Sequence, residues 1–230
     1  ENMTGLTKMI ILNSPGNPTG AVYTEDELRA IGEVALLEDI IILSDEIYEK
    51  LVYGETKHVS IGSLSQELYD LTITVGGFSK AYSMTGWRLG YIAAPKAIAE
   101  AISNMQGHTT SNACTFSQYG ALAALETENN FVNDLREEYD MRRQFMYKRL
   151  KAIPNISVTE PQGAFYFLVN TEKLGIKSVN LCDKLLTRYR VAAVPGIAFG
   201  NDNCIRISYC TTLDVLNEGL SRFEEFCKSH

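Results

Sequence analysis

Lys80 carries the strongest chemical potential in this sequence. It follows an apolar run over residues 71–75 and two glycines, with Phe78, Tyr82 and Trp87 nearby. An amine at a strand end, in apolar and aromatic company, can have a lowered pKa and act as a nucleophile. Taken alone, a solvated loop lysine is the plainer reading. Other polar residues gather at the ends of apolar runs in the same way. Asp45 follows the run 40–43 and precedes Tyr48, Ser79 directly precedes Lys80, and Asn17 lies in the turn-rich stretch 13–20 after the run 9–12. Arg206 sits inside the apolar run 204–209, where a guanidinium needs an anionic partner. Singly, each has a plain alternative: Asp45 a helix cap or surface acid, Asn17 a turn residue, Tyr48 a core aromatic.

The elements that must position these residues follow from pattern. Residues 9–12, 40–43, 71–75 and 89–93 read as strands. Thr24 stands three residues before Glu27, a capping-box spacing, and starts a helix with Leu28, Ile31 and Ala35 on one face. Strand, capped helix, strand is the pattern of a parallel sheet covered by helices, in which ligands collect beyond the carboxyl ends of the strands. Residues 95–105 and 117–128 read as helices. A longer helix follows, with Phe131, Leu135, Tyr139, Arg142, Phe145 and Arg149 at helical spacing. Short strands over 156–159, 164–169, 191–194 and 204–209 then mix with helices near 179–189 and at Leu213, Leu216, Leu220 and Phe223. The expected fold is therefore α/β. A mostly parallel sheet with flanking helices occupies residues 1–134, and a smaller α+β domain occupies 135–230.

Composition excludes several classes. The 230 residues carry 28 acidic against 21 basic side chains, a formal charge of −7, which argues against a nucleic-acid-binding surface. No apolar run reaches the ~20 residues of a membrane helix, and no signal peptide is visible. Five scattered cysteines with no C-x-x-C pair suit a reducing, cytoplasmic setting and give neither a disulfide framework nor a zinc site; no metal is expected.

The segment Gly77-Phe78-Ser79-Lys80-x-x-Ser83-Met84-x-Gly86-x-Arg88-Leu89-Gly90 resembles the pyridoxal-phosphate attachment signature of class I aminotransferases. Three further segments are similar to that family's motifs and stand in its order: Asn13-Ser14-Pro15-Gly16-Asn17-Pro18-Thr19-Gly20, Ser44-Asp45-Glu46-Ile47-Tyr48-Glu49, and Cys204-Ile205-Arg206-Ile207-Ser208-Tyr209. The resemblance runs from about Met9 to the C-terminus and implies the partial large domain of a fold-type I enzyme followed by its small domain. It implies pyridoxal 5′-phosphate as cofactor, held by Lys80 as a Schiff base. Asp45 would stand against the pyridine nitrogen, Asn17 and Tyr48 at the phenolic oxygen, and Ser79 and Arg88 at the phosphate. Lys80, Asp45 and Tyr48 would then form the catalytic set, with Asn17 and Arg206 at the substrate and Arg206 on its α-carboxylate. Some relatives carry a serine where this chain has Gly77, so part of the phosphate cradle is weaker or supplied elsewhere.

The implied reaction is amino-group exchange between an L-amino acid, aspartate or a broader range, and a 2-oxo acid, by a cytoplasmic homodimer. A pyridoxal-phosphate lyase on the same scaffold and a catalytically inactive truncated binding domain are the alternatives. The family's long N-terminal part has no counterpart in this sequence, so the chain is expected to be a fragment with negligible transamination alone. Plain readings stay with Gly163 as a structural turn, Trp87 as a packing anchor and His108 as a satisfied structural histidine. Glu137, Glu138, Arg142 and Arg143 read as a solvated helix face.

Overall fold

The apolar runs read as strands lie side by side. In the computed structural model, which describes residues 3–127 and 130–229, β1 (Met9–Asn13), β2 (Ile41–Asp45) and β3 (Thr72–Gly77) are parallel neighbours. Between β1 and β2 runs α1 (Glu25–Leu37), started by the expected capping box. The Thr24 hydroxyl accepts from the Glu27 amide at 3.3 Å, and the Glu27 carboxylate accepts from the Thr24 amide at 2.8 Å. Leu28 and Ala35 of α1 pack on Leu12 and Ile42 of the sheet and on Leu68 of α2 (Gln66–Leu71). The fourth strand, β4 (Gly90–Ala93), pairs with β3 antiparallel. Residues 78–89 contain one short turn of 3₁₀ helix and no crossover helix, so the chain must double back rather than return parallel. Two helices follow, α3 (Lys96–Thr109) and α4 (Thr115–Glu126). Glu128, expected as the end of the second, lies outside the described residues, as does Glu1.

The chain divides into two compact units, one holding the residues up to Pro15 with Val22–Asp134, the other Gly16–Ala21 with the residues from Leu135 onward. The stretch 16–21, expected with the first part of the chain, thus groups with the second. The cause is backbone pairing: the Gly20 carbonyl accepts from the amides of both Gln162 and Gly163 at 2.8 Å.

The second unit is built on a four-stranded antiparallel sheet, ordered β5 (Ser157–Val158), β6 (Tyr166–Asn170), β8 (Cys204–Ser208), β7 (Val194–Pro195). Strand alternation buries Phe167, Val169 and Ile205. Phe167 stacks on Tyr147 of α5 (Phe131–Ala152), and α6 (Ser178–Tyr189) and α7 (Leu213–Lys228) add Leu181, Leu185, Leu216, Leu220, Phe223 and Phe226 to the core.

Three expectations change. The buried face of α5 is Tyr139, Arg143, Met146 and Leu150, a different phase from the row read in sequence, and Phe131 is exposed. Arg143 is therefore not on a solvated face. It is buried against Asp140, Glu160 and the Pro161 carbonyl, acceptors that make burial of a guanidinium tolerable. Glu138 and Arg142 pair one helical turn apart. His108, expected as a satisfied structural histidine, is exposed in the last turn of α3, with no hydrogen bond shown to it among the described residues. Among the described residues no helix is long and apolar enough to cross a membrane.

Candidate active site

In the first unit the parallel register brings the expected residues to one end of the sheet. Asp45, the last residue of β2, lies beside Val75 of β3, and the chain beyond β3 leads to Ser79 and Lys80. Asp45 is fixed through both its backbone and its carboxylate. Its carbonyl accepts from the Asn13 side chain and the Ser14 amide, each at 3.2 Å, and its Oδ1 accepts from the Ile47 amide at 3.2 Å. The turn made by the last bond lowers Tyr48 into the interior, 3% exposed, with its ring 5.9 Å from the Lys80 ammonium. A cation this close to an aromatic ring is attracted by the ring's quadrupole. Lys80 itself is half-buried.

The turn after Lys80 is closed by its own backbone: the Ser83 amide donates to the Lys80 carbonyl and the Thr85 hydroxyl to the Ser79 carbonyl. Arg88 follows in the left-handed region, φ 54°, with Nη1 donating to the Thr85 carbonyl at 3.0 Å. It is exposed and lines a cleft of about 740 Å³ with Ser83, Asn112 and Cys114. Gly77 has a steric reason. A Cβ there would come within 3.1 Å of the Gly90 Cα and of the Ile47 side chain, so the hydroxyl some relatives place at this position has little room here. Trp87, expected as a packing anchor, meets Phe116 edge-on at 6.3 Å yet is 43% exposed.

Sequence reasoning passed over the residue next to Asp45. Strand alternation sends Glu46 the opposite way, into the interior. There its carboxylate accepts from the hydroxyls of Ser44 (2.8 Å) and Ser60 (2.7 Å) and meets His58 Nε2 at 2.9 Å. Glu46, Glu49 and His58 bring ligand-capable atoms within 4.8 Å of one another, but the hydrogen bonds already account for the buried carboxylate. The sequence signal, an apolar-to-acidic switch after a single serine, carries no spacing that would single it out.

In the second unit the structure joins two further expected residues. Arg206 Nη1 donates to Asn17 Oδ1 at 2.8 Å, a contact spanning 189 positions of sequence. The guanidinium lies over two rings, 4.5 Å from the centroid of Tyr166 and 5.1 Å from that of Phe199. Its Nε is buried with no hydrogen-bond partner among the described residues. The anionic partner expected for Arg206 is thus replaced in part by an amide and two aromatic faces, and one donor remains unmatched. Tyr166 and Phe199 were not singled out in the sequence.

Residues 2–223 match the family model described as aminotransferase class I and II. The chain belongs to this family. Its members depend on pyridoxal 5′-phosphate. It is 46% identical to an aspartate aminotransferase of Bacillus subtilis over 99% of this chain and 59% of the relative. It is 41% identical to an asparagine–oxo-acid transaminase of Streptococcus mutans over 97% of this chain and 58% of the relative. Among solved structures, an aromatic aminotransferase from Pyrococcus horikoshii superposes with a TM-score of 0.95 at 40% identity, covering 99% of this chain and 62% of that one. The chain spans about three fifths of the length of the curated relatives it matches.

The chemistry of the donor set fits the aminotransferase cofactor. The Lys80 amine, the Asp45 carboxylate and the buried Tyr48 phenol gather at the end of β2 and β3, complementary to an aldehyde, a pyridine nitrogen and a phenolic oxygen. The Ser79 hydroxyl directly precedes Lys80 and the Arg88 guanidinium lies in the cleft with Ser83, Asn112 and Cys114, both suited in kind to a phosphate.

Proposed function

We propose that this chain carries the reactive lysine and the recognition arginines of an aminotransferase that exchanges an amino group between an L-amino acid, aspartate or a broader range, and a 2-oxo acid. The observation that carries this reading is the placement of Lys80 beside the buried Tyr48, with Asp45 closing the neighbouring strand, in a chain of this family. Lys80 would hold the cofactor aldehyde, Asp45 the ring nitrogen, Tyr48 the phenolic oxygen, and Ser79 with Arg88 the phosphate. Bound there, pyridoxal phosphate supplies an electron sink for the substrate carbon that loses its proton.

The chain's own residues do the rest. Asp45, its backbone and carboxylate both pinned, keeps a negative charge in a fixed place and so favours a protonated ring nitrogen. Lys80, when its amine is free, would take the proton from the Cα of the donor amino acid in one half of the exchange and supply a proton to the Cα of the acceptor in the other. Tyr48 and Asn17 donate or orient hydrogen bonds. Arg206, steadied by Asn17, receives the substrate carboxylate. The relatives named above are all called aminotransferases or transaminases, which favours amino-group exchange over a lyase reaction. The exposed apolar side chains of α3 and α4 support a homodimer, because faces of this kind mark interfaces. Five free thiols support a cytoplasmic setting.

Borohydride reduction of the cofactor-loaded protein, followed by peptide mapping, should place the pyridoxyl adduct on Lys80. An adduct on another lysine overturns the assignment.

A further inference from the structure

The surroundings of Arg206 are more elaborate than carboxylate binding alone requires. Arg206 lies on β8 directly opposite Leu168 of β6, so Tyr166, two residues along β6, is its diagonal neighbour on the same face of the sheet. Phe199 comes from another element, the 3₁₀ turn Gly196–Phe199. That turn is tightly held. A Cβ at Gly196 would lie 2.3 Å from the carbonyl oxygens of Asn201 and Cys204, so only glycine fits. The Ile197 amide donates to the hydroxyl of the fully buried Ser178, which itself donates to Asp202 at 2.6 Å. The Ser178 hydroxyl holds the Asp202 carboxyl below its ordinary range, keeping this anchor charged.

We propose that Tyr166 and Phe199 are positioning residues for Arg206: their ring faces hold the guanidinium plane, so that its edge is presented to a substrate carboxylate. All N–H donors of a guanidinium lie in its plane, whereas aromatic rings engage its face. Nη1 is used by Asn17 and Nε is buried without a hydrogen-bond partner among the described residues, so the outer Nη2 edge is the part of the guanidinium left for a carboxylate. The rings thus fix the orientation of that edge without competing for the donors it offers. An additional carboxylate in their place would neutralise the arginine.

This inference rests on the reading that Arg206 receives the carboxylate, and the experiment separates the two. Equilibrium binding of 2-oxoglutarate to the cofactor-loaded protein is measured for Arg206→Ala, Phe199→Leu, Tyr166→Leu and Tyr166→Phe. Phe199→Leu and Tyr166→Leu should each weaken binding about tenfold, the size expected for losing one cation–π contact. Tyr166→Phe should bind like the parent, because it keeps the ring face. Phe199 lies on an exposed turn, so its variant does not depend on repacking the core. Unaltered binding in either leucine variant, with binding lost in Arg206→Ala, overturns the positioning role alone. Unaltered binding in Arg206→Ala overturns the underlying reading.

Discussion

In the second unit Phe167, Tyr209, Phe223 and Phe226 are at most 1% exposed, and helices from three parts of the chain close over the sheet. In the first, α1 and α2 seal a core against β1 and β2, but α3 contributes no buried residue and every residue of β4 is exposed. Met105, Phe116 and Tyr119 stand about 70% exposed. Composition does not separate these regions; both are rich in large apolar residues. What differs is whether those residues find partners within their own unit. Lys80 and Asp45, proposed to hold the cofactor, lie in the more open unit, at a sheet end whose fixed points are backbone hydrogen bonds. Arg206, proposed to receive a carboxylate, lies in the sealed one, where packing can fix a side chain's angle.

Substitutions can break this contrast. The largest effect is expected from Phe223→Ala, which removes a ring 1% exposed and should cost about 3–5 kcal/mol, read from the urea midpoint. A smaller loss would mean that the second core is looser than described.

A middle-sized effect concerns thiols. Burial pushes the Cys182 thiol up to about 11 and the Cys227 thiol up to about 12 from 9.0, whereas Cys114 and Cys210 are exposed. The fold therefore favours the protonated form. The contribution is complete below about pH 9 and disappears as pH rises toward 11 and 12. Denaturant midpoints should fall above pH 9, and at pH 8 a thiol reagent should modify Cys114 and Cys210 rapidly, with Cys182 and Cys227 reacting only on unfolding. Rapid labelling of Cys227 in the native protein contradicts the sealed core. The smallest effect is expected from Phe116→Ser in the open unit, within about 0.5 kcal/mol on the same urea assay. A loss comparable to that of Phe223→Ala would erase the contrast.

Much of this arrangement was legible in the sequence, for identifiable reasons. The parallel strands and the capped helix were set by local signals, a run of apolar residues and a Thr-to-Glu spacing, and the structure follows both. Asp45 and Lys80 were legible because they close such runs. The phase of α5 was not, because Arg143 is buried by partners such as Glu160 that no helical periodicity reveals. Tyr166 and Phe199 were silent for a related reason. Each looks like ordinary core apolar content until register and a glycine-bound turn bring them to one guanidinium. Glu46 was hidden by its neighbour: two adjacent acids read as one motif, and only strand alternation separates them.

The grouping of residues 16–21 with the second unit has a consequence for the order in which the protein can be made. Asn17 precedes Arg206 by 189 positions. Closing a loop that long costs only about 0.6 kcal/mol more than closing one half its length, since the cost grows with the logarithm of length, but non-local contacts of this kind slow folding. The backbone bonds from Gly20 to Gln162 and Gly163 become possible once residue 163 is made, and the side-chain bond from Asn17 to Arg206 only once residue 206 is made. A nascent chain stopped between residue 163 and β8 already carries Asp45 and Lys80 but not yet the guanidinium that meets Asn17, so the contact proposed to receive substrate is the later one to become possible.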